Sequence, residues 1–356
     1  MLDALVPATG PAVWMGSDLA KTDDWNIRLT PGDIEELDEA LASPDLKNIP
    51  IQKIDAANFP LPRLGHRLRA FAEELENGRG FGVIRGVPVK KYTEEACKIL
   101  SWGLCCYLGT GIPQSRQGDW INHVIDLTDV TATTKTDLAH IVDRKELRAN
   151  HEGGELRWHT DSTDMIALFC LKKARNGGAS RLASSAQVHN LILAENPACL
   201  QALYDGYYYL SLADDNDDEK PRLSAERVPV FRRTGKSVSF YYIPQVVERA
   251  IDRAHVSYSA VENDARAMIQ SVANSSGVPL DFTLEPGDLE VINNRIVMHA
   301  REEYEDDPDV DHRRHLLRVW MAAEPETETD TFRLPSDRYR ARLARTAAAS
   351  LESRPA

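Results

Sequence analysis

Two short stretches of the 356-residue chain hold the residue types that can do chemistry. The first is Trp158-His159-Thr160-Asp161. In an extended strand, side chains two apart project from one face. His159 and Asp161 can therefore offer an imidazole and a carboxylate to a single metal ion. A third ligand must come from elsewhere. Two histidines and one carboxylate on one face, with open positions beside them, is the arrangement that holds ferrous iron in non-haem oxygenases. The second stretch starts at the turn Glu285-Pro286-Gly287-Asp288 and reads on as a strand, LEVINNRIVMHA, with His299 near its end. An acidic loop follows, then Arg314-His315-Leu316-Leu317-Arg318-Val319-Trp320. Arg314 and Arg318 are four apart, so a strand places both on one side. Two guanidiniums on the inner face of an apolar strand are costly unless they meet anions. Arginine is shaped to grip a carboxylate at two points, and a dicarboxylate bound beside the metal meets that need. Trp158 and His315 alternate away from these faces and read as packing residues.

These side chains need a scaffold. From Trp158 onward MIALFCLKK, SRLASS, YYYLSL, VPVFRR, SVSFYYI, DFTLEPGDLEVINN, RIVMHA and HLLRVWMA are short β-like runs separated by turns. Helical patterns interrupt them at AQVHNLILAENPACLQALY and around ENDARAMIQSVANSS. Before residue 110 the pattern is helical. Thr30 caps a helix that begins at Pro31. Leu64, Leu68, Phe71 and Leu75 mark a second amphipathic helix that stops at Gly78 and Gly80. FGVIRGVPV is a buried strand, TEEACKILSWGLCCYLG a third helix, and residues 1–30 an irregular lead. Many strands with helices outside predict a sandwich or barrel core. The expected division is one domain over 1–323: a helical part at 30–110, a lid-like segment at 110–157, and a core formed by 80–88 and 158–323. A linker and tail follow at 324–356.

Composition excludes several classes. Lys+Arg 42 against Asp+Glu 55 gives a net charge of −13, which disfavours nucleic acid as a partner. No apolar run is long enough to span a bilayer, and the first residues lack the pattern of a secretory signal. Five cysteines without a C-x-x-C pair predict free thiols in a reducing compartment, hence a cytoplasmic setting. The acidic runs at 214–219 and 305–311 lack calcium-loop spacing and read as solvated loops.

WHTD, the Gly177-Gly178-Ala179-Ser180 segment, GDLEVINNRIVMHA and RHLLRVW, in this order, resemble the taurine dioxygenase-like (TauD/TfdA) family from about residue 60 to 322. FGVIRGVPV is similar to that family's early strand. The resemblance implies a double-stranded β-helix, the jelly roll of cupin-like proteins, with helices packed outside. It implies a dioxygenase that uses Fe(II), 2-oxoglutarate and O2, with His159, Asp161 and His299 as iron ligands. Arg314 would pair with the distal carboxylate of 2-oxoglutarate. Ser180 stands where the family often has a threonine touching that carboxylate, and Arg318 matches a second arginine at the substrate or cosubstrate end. The implied reaction oxidises an unactivated C–H bond of a small anionic or amino-acid-like molecule, foremost by hydroxylation, and releases succinate and CO2. The same site also serves desaturation, epoxidation or cyclisation in natural-product biosynthesis. A non-catalytic binding or sensing module on this fold is the alternative from another class. Homo-oligomerisation is left open by the sequence.

Overall fold

The computed structural model describes residues 5–46, 49–114, 119–130, 153–211 and 222–322. The acidic run at 214–219, residues 131–152 of the lid-like segment and the expected tail therefore lie outside the described residues. Eleven strands among the described residues build two sheets. In chain order they are β1 (Asn26–Arg28), β2 (Phe81–Arg85), β3 (Thr110–Ile112), β4 (Ile121–Val124), β5 (Leu156–His159), β6 (Met165–Lys172), β7 (Ser180–Ser184), β8 (Leu280–Phe282), β9 (Leu289–Asn293), β10 (Val297–Arg301) and β11 (His315–Ala322). The larger sheet runs β1-β2-β9-β6-β11-β3, with β4 also on β11. The smaller runs β8-β7-β10-β5. Every pair is antiparallel except β1–β2. The sheets stack as a double-stranded β-helix.

Each layer follows from its sequence. Strands buried on both faces read as continuous apolar runs, and β6 (MIALFCLK) and β9 (LEVIN) are of that kind. One side of the larger sheet, Ala167, Phe169, Val291, Leu317 and Val319, packs against Leu37, Leu64, Leu68 and Leu100 from helices Pro31–Leu41, Leu64–Asn77 and Glu94–Cys105. Its other side, Phe81, Ile166, Ile292 and Trp320, meets Leu182, Leu280 and Val297 of the smaller sheet. The outer side of the smaller sheet is covered by Ser185–Glu195, Pro197–Asp205 and Ala260–Ala273, through Ile192, Leu200 and Ile269 against Trp158, Ala183 and Met298. Thr30 does cap the first long helix: its hydroxyl accepts from Asp33 N, and Asp33 returns the bond in a capping box.

The structure departs from the sequence reading in four places. LEVINNRIVMHA is two strands, β9 and β10, in different sheets. Asn293 makes the break: its Oδ1 accepts from Arg295 N at 3.0 Å, and its Nδ2 donates to the Leu75 carbonyl at 3.0 Å. The break falls where the short β-like runs divide, LEVINN from RIVMHA, and the turn is held by side-chain hydrogen bonds. Within 110–157, β3 and β4 pair with β11. Strands of three or four residues are too short to reveal a period. Within 1–30, β1 adds in parallel to β2. The helix Pro244–Ala254 was also absent from the sequence reading.

Candidate active site

His159 ends β5 and His299 lies in β10, and the two stand directly opposite each other across an antiparallel pair. Their ring centroids are 4.2 Å apart, and both side chains are buried. The ladder shifts between His299 and Arg301, an irregularity of the kind that re-aims side chains beside active sites. Neighbouring residues fix the WHTD segment. Gln270 grips the backbone of Trp158 from both sides, accepting from its N at 3.1 Å and donating to its carbonyl at 2.9 Å. Thr160 N donates to Tyr242 O at 2.9 Å. The Trp158 ring faces away from the cavity, as its alternation predicts, with Nε1 donating to Asn274 Oδ1 at 3.0 Å.

Asp161 lines the same cavity as both histidines. Its carboxylate receives Arg318 Nη1, 3.3 Å from each oxygen, and Trp320 Nε1 at 3.3 Å. Burial pushes its pKa upward, but Arg318, the two imidazoles and Trp320 together outweigh burial and hold it below the usual carboxylate range. Burial keeps His159 neutral against the pull of Asp161. Burial, reinforced by His159, drives His299 down to about 3. The His159 Nδ1–H is committed to the Arg157 carbonyl at 2.8 Å, so Nε2 carries that ring's lone pair. His299 Nδ1 is buried without a hydrogen-bond partner. Two neutral imidazoles beside an ionised carboxylate form the donor set that a ferrous ion takes.

Arg314, immediately before β11, and Arg318 both line this cavity. Arg318 Nε also donates to Gln114 Oε1 at 2.9 Å, so it is anchored from two sides. Arg314 Nη1 is buried with no partner, and its guanidinium lies 5.3 Å from the Tyr304 ring. The Gly-Gly pair makes room for it. Gly178 has φ +73°, and a Cβ there would stand 3.4 Å from Arg314 Nε and 3.2 Å from Tyr304 Cβ. Ser180 is also in the cavity, but its hydroxyl donates to Glu290 Oε2 at 2.9 Å. Glu290 was missed by the sequence reading, as were Gln114 and Arg301. The signal for Glu290 was present: in LEVIN one charged residue interrupts an otherwise apolar strand.

A second histidine group lies elsewhere. Glu94, His123 and His315 bring one ligand atom each within 4.8 Å of one another, the only group among the described residues to do so. His159, Asp161 and His299 are less tightly gathered, with Asp161 held on Arg318. Compactness alone is a poor guide here. His123 Nδ1 and His315 Nε2 are 2.7 Å apart in a direct N–H···N bond, which consumes a lone pair that a metal would need. The cationic side chains of Lys172 and Lys98 also bear on His315. Glu94 is half-exposed and its carboxylate is 4.0 Å from His315 Nδ1. This group ties β4 and the Glu94–Cys105 helix to β11.

A jelly roll whose interior carries such a donor set beside a buried guanidinium is the framework of the iron- and 2-oxo-acid-dependent oxygenases. The chain belongs to the taurine catabolism dioxygenase TauD, TfdA family, whose sequence model matches residues 45–320. It is an Fe(II)- and 2-oxoglutarate-dependent dioxygenase that also uses O2. It is 27% identical over 321 residues to FR-33289 synthase of Streptomyces rubellomurinus (strain ATCC 31215), covering 89% of this chain and 91% of that protein. Its fold is similar to an asparagine oxygenase solved with Fe(II), 2S,3S-3-hydroxyasparagine and succinate. That match has TM-score 0.65 at 15% identity and covers 84% of this chain and 93% of the other. It is similar too to the non-haem iron oxygenase OrfP solved with Fe and α-ketoglutaric acid, with TM-score 0.58 at 16% identity, covering 84% and 94%. No helix among the described residues is long and apolar enough to cross a membrane.

Proposed function

We propose that this dioxygenase hydroxylates an unactivated C–H bond of a small amino-acid-like or anionic metabolite, with His159, Asp161 and His299 holding the iron. The observation that carries the assignment is the cross-strand pair of buried, neutral imidazoles sharing one cavity with an ionised Asp161. Held there with 2-oxoglutarate and O2, iron would supply the oxidising chemistry that C–H hydroxylation with release of succinate and CO2 requires. The chain's own residues do the rest. The Arg157 carbonyl fixes the tautomer and ring orientation of His159. Arg318 and Trp320 orient Asp161 and keep it ionised. Arg314 presents a buried, unpartnered Nη1, suited to the distal carboxylate of 2-oxoglutarate. Ser180 lines the same cavity.

The substrate class is supported by the relatives: the asparagine oxygenase was solved with a hydroxylated amino acid, and FR-33289 synthase is named as a synthase. We also propose that residues 1–323 act as one domain, and that the enzyme works in the cytoplasm, where its five free cysteines, four of them buried, stay reduced. Anaerobic addition of Fe(II) and 2-oxoglutarate should give a weak visible charge-transfer band. Candidate metabolites are then screened for stimulated succinate release. A product heavier by one oxygen atom supports hydroxylation, and loss of two hydrogens redirects the proposal to desaturation or ring closure. No band and no succinate with any candidate would overturn it.

A further inference from the structure

Among the residues lining the cavity away from the histidine pair, Arg314 Nη1 and Glu290 Oε1 are buried polar atoms without hydrogen-bond partners. The distal carboxylate of 2-oxoglutarate answers the first. A second carboxylate in the same pocket is unexpected, because like charges at close range in a dry site repel strongly. We propose that Glu290 binds the cosubstrate in its protonated form, so that 2-oxoglutarate enters together with one proton from solvent. This rests on the reading of the Arg314 pocket given above.

The geometry starts from strand register. Glu290 of β9 pairs with Leu168 of β6, which pairs with Arg318 of β11, so the three lie in one row across the larger sheet. From that row the Glu290 carboxyl crosses the interior to Ser180 of β7 in the smaller sheet. A serine hydroxyl has one hydrogen to give. While Glu290 is ionised, that hydrogen goes to Glu290 Oε2, and neither residue has a donor left for an incoming carboxylate. Once Glu290 holds a proton, its carboxyl can donate to Ser180 Oγ or to the ligand. When it donates to Ser180, the Ser180 hydrogen turns toward the pocket, so in either arrangement protonation adds one donor for the ligand. Arg314, Ser180 and the Glu290 acid together offer the donors that a carboxylate requires.

The titratable and charged groups around Glu290 are Arg85 on β2, Asp288 just before its own strand, Arg314 and Arg318 at β11, His299 and Arg301 on β10, and His159 and Asp161 at the end of β5. Arg85 is already paired with Asp288. Burial raises Glu290 to about 7, against the pull of Ser180, Arg314 and Arg85. The protonated form is thus accessible near neutral pH before any ligand arrives.

The test is calorimetric titration of 2-oxoglutarate into the anaerobic Fe(II)-loaded protein between about pH 6 and 9, in buffers of differing ionisation enthalpy. The cosubstrate's own carboxylates do not titrate in that range. The expected result is a Kd that rises about tenfold per pH unit above about 7, with uptake of about one proton per ligand. Glu290→Gln keeps a neutral donor in place. It should bind with no slope and no proton uptake, and about tenfold or more tighter than wild type at about pH 8.5. Flat wild-type affinity without proton uptake, or a slope that persists in Glu290→Gln, would overturn the proposal while leaving the site reading intact. If the variant fails to fold, the wild-type proton count decides alone. No 2-oxoglutarate binding by wild type at any pH would overturn the site reading as well.

Discussion

Two histidine–carboxylate groups sit in this molecule, and they teach opposite lessons. Glu94, His123 and His315 are the more tightly clustered, yet their imidazoles bond to each other and the side chains of Lys98 and Lys172 bear on them. His159, Asp161 and His299 are looser, yet each imidazole is neutral, one ring nitrogen is unpartnered, and the carboxylate is held ionised beside a cavity. Proximity makes a crosslink in the first case. Donor state and an open cavity make a candidate metal centre in the second.

The sharpest way to break this contrast is to exchange the fates of the two groups. His159→Ala or Asp161→Ala should abolish iron retention and turnover, while His123→Ala should retain stoichiometric iron; metal analysis with succinate assays checks both. Iron lost with His123 and kept without His159 would reverse the assignment. Next in size, Arg314→Ala should chiefly raise the 2-oxoglutarate KM, because removing a buried charged contact costs about 2–5 kcal/mol; steady-state kinetics read it. The crosslink should matter to stability instead. His315→Ala leaves His123 without its buried partner and should cost about 1–3 kcal/mol in chemical denaturation, with the iron content unchanged.

A pH scan of the iron-free protein sharpens the same point. His315 is held down to about 3 by burial and by His123, and His299 by burial and His159. Both fold as neutral imidazoles. Their stabilisation is therefore complete above the unfolded value of about 6.5 and is lost as pH falls from there toward about 3. His315→Gln should make the acid limb of the stability curve shallower. The smallest expected effect is at Gly178→Ala, where φ +73° and the crowding of Arg314 should cost about 1–2 kcal/mol and weaken cosubstrate binding modestly.

The metal-ligand candidates were legible because strand alternation and residue chemistry act over two or three positions. WHTD states its own geometry, and an arginine pair in RHLLRVW cannot be mistaken for ordinary core. The helices were legible through caps and periodicity, as at Thr30 and Leu64–Leu75. What the sequence concealed depends on contacts between distant segments. Nothing local in LEVINNRIVMHA shows that Asn293 will bond to Leu75 and send the chain to another sheet. Nothing near Ser180 shows that Glu290, 110 residues later, takes its hydrogen. Gln114 is a loop polar residue until β11 places Arg318 beside it. The family resemblance supplied the order of these parts, but only packing reveals which donors are already spent.

The facing imidazoles carry one more consequence. His159 and His299 are 140 positions apart and meet only when β5 and β10 pair in a single alignment. A slip of one residue would turn a ring to the opposite side of the sheet. Before β5 and β10 pair, the chain offers only the His159–Asp161 half of the proposed chelate, and an ion bound by all three side chains would favour the paired alignment. Occupancy by iron becomes a report on whether the strands have found their proper alignment.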